Sequence, residues 1–170
     1  MGGERSMRVV SAIASATLVA AAPISGWDTG FPANASPNSG GINGTYTATS
    51  DGNSAKLNHQ FKDQAVVTST WTITSTCSTP VDCAGQVTSD HGWRANLHLI
   101  GGSLWIASHD VENWERCPDG SAFPGHQQFK FYRIDDNNLR GWDETTGPSG
   151  ACGANQWLLI EMPFTLVKIG

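Results

Sequence analysis

From Gly44 onward the chain alternates apolar and polar positions with a period of two. In "AVVTSTWTITSTC" one face carries Val67, Ser69, Trp71, Ile73, Ser75 and Cys77, and the other carries threonine from Thr68 to Thr76. Successive side chains of a strand point to opposite faces, and threonine between bulky residues suits a half-buried pleat, so the stretch predicts an antiparallel strand. "GTYTATS" (44–50) has the same grammar. Further strands are predicted over 84–90, 127–134, 138–144 and 156–169, with a turn at Asp135-Asp136-Asn137-Asn138 between two of them. Pro163 cannot donate to a ladder, so a bulge or bend is expected there. Asp51 to Asp63 has no clear period and reads as a short helix or an irregular crossover.

The strongest local signal is "GWRANLHLIGGSLWIASHD" (92–110), a hairpin around Gly101-Gly102, since glycine accepts the positive φ of tight hairpin turns. A two-residue turn sets Ile100 against Ser103. Trp93, Ala95, Leu97 and Leu99 then share the inner face with Asp110, Ser108, Ile106 and Leu104. Arg94, Asn96 and His98 share the outer face with His109, Ala107 and Trp105. About eight strands joined in sequence order predict an all-β fold, an antiparallel up-and-down barrel that closes its own edges, with a β-sandwich as the alternative.

The N-terminus changes the picture of where the fold operates. Arg8, the apolar run from Val9 to Ala22, and then Pro23, Ser25 and Gly26 have the layout of a secretory signal peptide. Ala33-Asn34-Ala35 is the clearest cleavage signal, which assigns 1–35 to the signal peptide, 36–43 to a flexible leader and 44–170 to one domain. The apolar run is shorter than the ~20 residues of a membrane span, so no stable membrane insertion is expected after cleavage. Residues 36–170 carry 13 acidic and 8 basic side chains and no basic run, which argues against a nucleic-acid partner.

Export also decides the reading of the four cysteines. Outside the cytosol an even number of thiols in a small domain implies disulfides, and of the three pairings Cys77–Cys83 with Cys117–Cys152 is expected, because the first pair flanks one turn. No zinc-type spacing and no C-x-x-C occurs. No metal and no cofactor is expected.

The opening "GTY", the hairpin ladder and the long final strand resemble lipocalin-like barrels in general layout. "GTYTATSDG", "STWTITSTC", "NWERCPDG" and "GPSGACG" resemble small exported proteins of mycobacteria and related actinobacteria. That resemblance implies export and carries no functional residue across.

Candidate chemistry is sparse. His59, His91, His98, His109 and His126 form no recognisable motif, and Asp90-His91 and His109-Asp110 are strand neighbours whose side chains diverge. No G-x-S-x-G, HExxH or phosphate loop occurs. Asp135-Asp136 and Asp143-Glu144 read as solvated hairpin ends. Aromatic residues are the more telling excess. Trp71, Trp93, Phe129 and Phe131 are the candidate ligand-binding, cavity-lining residues, and Trp105 is the candidate surface contact. The expected function is therefore non-enzymatic: an exported barrel binding a small apolar ligand, an envelope component or a protein. A secreted hydrolase using His109 with Asp110, Asp143 or Glu144, and a purely structural surface protein, are the alternatives.

Overall fold

The computed structural model describes residues 40–170, so the expected signal peptide and residues 36–39 of the leader lie outside the described residues. Ten strands follow one another: β1 Gly44–Ser50, β2 Lys56–Leu57, β3 Gln60–Phe61, β4 Val67–Thr79, β5 Asp82–Ser89, β6 Arg94–Ile100, β7 Leu104–Arg116, β8 Ala122–Arg133, β9 Asn138–Thr146 and β10 Leu159–Lys168. Eight pair antiparallel in the order β1-β4-β5-β6-β7-β8-β9-β10, and β10 returns to β1. The sheet is thus a closed up-and-down barrel rather than a sandwich, and no long edge is left in it. The irregular crossover between β1 and β4 is a 3₁₀ turn, Gly52–Ser54, followed by the small β2–β3 hairpin, which pairs with the first part of β10.

Inward-facing residues of period two fill the barrel. Trp71, Phe131 and Phe164 are almost fully enclosed, and Ile73, Leu97 and Leu166 pack in the same cluster. The Trp71 ring lies edge-on to Phe129 at 4.7 Å and to Trp93 at 5.1 Å between centroids. Each such ring removes ~150–250 Å² from water, an upper bound of about 4–6 kcal/mol of transfer free energy. Gly141 faces Phe131 on one side and Phe164 on the other, and a Cβ there would strike the Lys130 carbonyl, so the strands coil tightly at that point.

Three expectations need correction. The first is the hairpin register. Ser103 N–H does reach the Ile100 carbonyl at 3.4 Å across Gly101 (φ 59°) and Gly102 (φ 74°), so the glycine turn forms. Ser103 is then left out of the ladder, which resumes with Ile100 opposite Leu104 and Leu97 opposite Ala107. One residue of slip reverses every β7 side chain. Trp105, expected outside, is 2% exposed, and Ile106, expected inside, is half-buried on the outer face. The segment Leu104-Trp105-Ile106-Ala107 offers apolar residues to both faces, and the register that encloses the indole removes the larger area from water.

The second concerns Pro163. The β9–β10 register runs unbroken from Leu159 opposite Thr146 to Val167 opposite Asn138. The Pro163 carbonyl accepts from Asp51 N–H (2.8 Å), so the N–H that proline lacks would also have pointed away from β9. It falls in the gap on β10 between the residues paired to β2 and those paired to β1. No ladder bond is lost, and no bulge is required.

The third concerns the leader, whose last residues are anchored. Ile42 is buried in the core cluster, its N–H donates to Ser75 Oγ (2.8 Å), and Ser75 Oγ donates back to its carbonyl (2.7 Å). Arg133 Nη2 donates to the Gly41 carbonyl (2.7 Å). Beside this plug, Cys77 and Cys83 face each other across β4 and β5 and form a disulfide, and a second joins Cys117 to Cys152. Among the described residues no helix is long and apolar enough to cross a membrane.

Candidate functional site

The end of the barrel opposite Ile42 carries a polar inner layer. The β1 alternation ends inward at Ser50, that of β8 passes Gln127, and that of β9 passes Asp143 and Thr145. Asp143 is 1% exposed, and both its oxygens are engaged: Ser50 Oγ donates to Oδ2 (2.6 Å) and Gln127 Nε2 donates to Oδ1 (2.8 Å). Burial disfavours the charged form and pushes its carboxyl above the usual value, against the opposing pull of the Ser50 and Gln127 hydrogen bonds.

His109 completes this layer because of the register slip. Odd positions of β7 point inward, so the residue expected on the outer face beside Trp105 enters the barrel with it. Its ring stacks on Trp93 at 4.2 Å between centroids, and Trp93 stacks on Phe129 at 5.7 Å. His109 Nδ1 donates to the Asp110 carbonyl (3.2 Å), which makes Nε2 the lone-pair nitrogen of the neutral ring. That Nε2 is enclosed and has no hydrogen-bond partner; Gln127 lies near enough to favour protonation without reaching hydrogen-bond geometry. Burial is the main influence and lowers the His109 pKa, so the ring is neutral at pH 7.

The four candidate lining residues converge: Trp71, Phe129 and Phe131 form the aromatic floor, and Trp93 stands half-buried between that floor and His109. They pack on one another through the barrel axis. Trp105 is part of the same core and is not available as a surface contact. Among the described residues the exposed tryptophans are Trp142 and Trp157. Trp157, expected in a strand beginning at 156, precedes β10, which starts at Leu159.

Two of the other histidines, His59 and His126, find carboxylates on the outside. His126 Nδ1 donates to Asp110 Oδ1 across β7 and β8 (2.8 Å), and His59 Nδ1 donates to Glu161 Oε2 (2.8 Å). Asp135 is a turn cap that accepts from the N–H groups of Asn137 and Asn138, which lower its pKa. Among the described residues no three His, Cys, Asp or Glu side chains converge in a way that would hold a metal ion. Sequence reasoning missed His109, Gln127 and Ser50 as a group. The one available signal was parity: placing the indole of Trp105 inward takes His109 inward as well.

No family model and no curated protein matches the chain. Among solved structures it is similar to the monomer form of the M. tuberculosis PknI sensor domain, with a TM-score of 0.54 and 16% identity over 76% of this chain and 88% of that one. At that identity the likeness is one of fold: this chain and that sensor domain share the barrel architecture.

Proposed function

We propose that the chain is an exported, non-enzymatic β-barrel domain that binds a small, largely apolar ligand at its polar end. Export is supported by the signal-peptide pattern and by two disulfides, which persist in oxidising compartments. A binding or sensing role agrees with a structural neighbour named as a sensor domain. The observation that carries the reading is His109 Nε2, an enclosed acceptor without a partner above an aromatic floor. Leaving such a group unsatisfied costs roughly 1–3 kcal/mol, which a ligand hydroxyl or N–H would recover. The ligand's apolar body would lie along Trp93, and its source is an envelope lipid or a free metabolite of that chemistry.

A hydrolytic reading has less support. Both oxygens of Asp143 are already engaged. The Asp110–His126 pair has side chains 73% and 58% exposed, where water competes with every charge it would stabilise.

The test compares a medium-chain fatty alcohol with its methyl ether, which keeps the tail and loses the donor. The alcohol should raise the Tm of the full secreted chain and the ether should not, since a ligand at 100 times its Kd adds about 2.7 kcal/mol. His109→Leu should abolish the difference, and native mass spectrometry should find a bound small molecule on the wild type alone. Equal Tm shifts from alcohol and ether, or from wild type and His109→Leu, would remove the site.

A further inference from the structure

A second cleft lies on the outside of the barrel, between the β2–β3 turn and the loop joining β9 to β10. It has a volume of about 260 Å³ and is lined by Asn58, His59, Ser149, Asn155, Gln156 and Trp157, together with Leu159. Trp157 is 57% exposed. We propose that this cleft binds a single neutral sugar ring, stacked on Trp157 and hydrogen-bonded by the surrounding amides.

The lining selects the ligand class. None of the six polar or aromatic residues is an aspartate, glutamate, lysine or arginine, so the cleft offers little to an ionic group. It offers instead an indole face, three carboxamides, a hydroxyl and an imidazole. A ligand that uses all of these has an apolar face for the ring and several hydroxyls that donate and accept, which describes a pyranose. The volume falls just below the ~300–1,000 Å³ of drug-sized sites and suits one ring.

The polar groups are held in place. Asn58 N–H donates to the Leu159 carbonyl (2.9 Å), and Leu159 N–H donates to Asn58 Oδ1 (2.8 Å). The Asn58 amide nitrogen is thereby left as the donor facing a ligand. His59 Nδ1 is engaged by Glu161 (2.8 Å), which leaves Nε2 for a ligand. Asn58 (φ 45°) and His59 (φ 67°) occupy the two left-handed positions of the turn, where Asn-Gly is the favoured pair, so histidine stands where glycine is conformationally cheaper. The opposite wall is tied down by the Cys117–Cys152 disulfide and by the Gly147 N–H bond to the Leu158 carbonyl (2.8 Å). Groups fixed before binding lose little freedom on binding.

The experiment follows the indole N–H signals of the full chain by NMR, with Trp157 assigned by its loss in Trp157→Ala. Methyl α-mannoside, methyl α-glucoside and methyl β-galactoside are titrated separately. At least one should move the Trp157 signal saturably, with a Kd on the order of 1 mM, as expected for a single ring with few anchors. Gln156→Ala should weaken that binding several-fold with an unchanged Tm, and Trp142→Ala, at another exposed tryptophan, should leave it intact. N-acetylglycinamide, neutral and hydrogen-bonding but without a ring, should leave the signal in place. The proposal is overturned if no glycoside moves Trp157, or if N-acetylglycinamide moves it equally. Because His109→Leu leaves this cleft untouched, sugar binding stands or falls independently of the site inside the barrel.

Discussion

Asp143 is buried and His109 half-buried, and their burial shifts act in opposite directions with pH. The Asp143 carboxyl is raised above its ordinary 3.8. Between that value and its folded one, the native state holds a proton that the unfolded chain has released. The associated stability is therefore complete below 3.8 and is lost as pH rises through the folded value. His109 is lowered from its ordinary 6.5, so its stability is complete above 6.5 and is lost as pH falls through its folded value. Asp143→Asn separates the two. Its amide can accept from Gln127 and donate to Ser50 Oγ, so it should be at least as stable as wild type at pH 7, and the decline of stability above pH 3.8 should vanish from urea titrations. A variant that remained as pH-dependent as wild type across that window would place the effect on another group.

Among the elements, the β6–β7 hairpin and the two staples make separate claims. Trp105 is enclosed and pairs with Leu99 and Phe131, so Trp105→Ala should cost ~3–5 kcal/mol. Ile106 is half-buried on the outer face, and Ile106→Ala should cost only about 1 kcal/mol. Chemical denaturation of the pair checks this, and the reverse order would restore the simple two-residue register. For the disulfides, chain entropy assigns about 2.4 kcal/mol to the loop closed by Cys77–Cys83 and about 3.8 kcal/mol to that closed by Cys117–Cys152. The second also anchors the extension of β7 and β8 beyond the barrel to the β9–β10 loop. Replacing Cys117 and Cys152 by alanine should therefore lower the denaturation midpoint more than replacing Cys77 and Cys83. The pairing was legible because Cys77 and Cys83 flank one turn. The register was not, because one unpaired serine after a glycine turn leaves no mark in an alternating pattern.

For the molecule as a whole, closure of β10 onto β1 joins the first and last strands in one core. Phe164 sits at that seam, opposite Ser50 on one side and Gly141 on the other, and is almost fully enclosed. Phe164→Ala should cost ~3–5 kcal/mol and lower the midpoint seen by tryptophan fluorescence and by far-UV circular dichroism equally, since one core unfolds as one unit. Separate midpoints would show that the seam opens before the barrel. The all-β class, the strand order, the approximate strand bounds and the cysteine pairing were all readable along the chain, because period-two burial and turn chemistry are local properties. Which face of β7 turns inward depends on packing across three paired strands, since that choice rests on enclosing the Trp105 indole against Leu99 and Phe131. The same choice carried His109 into the barrel beside Trp93. The placement of Asp143 against Ser50, 93 residues away, follows from closure of the barrel, which no local pattern records.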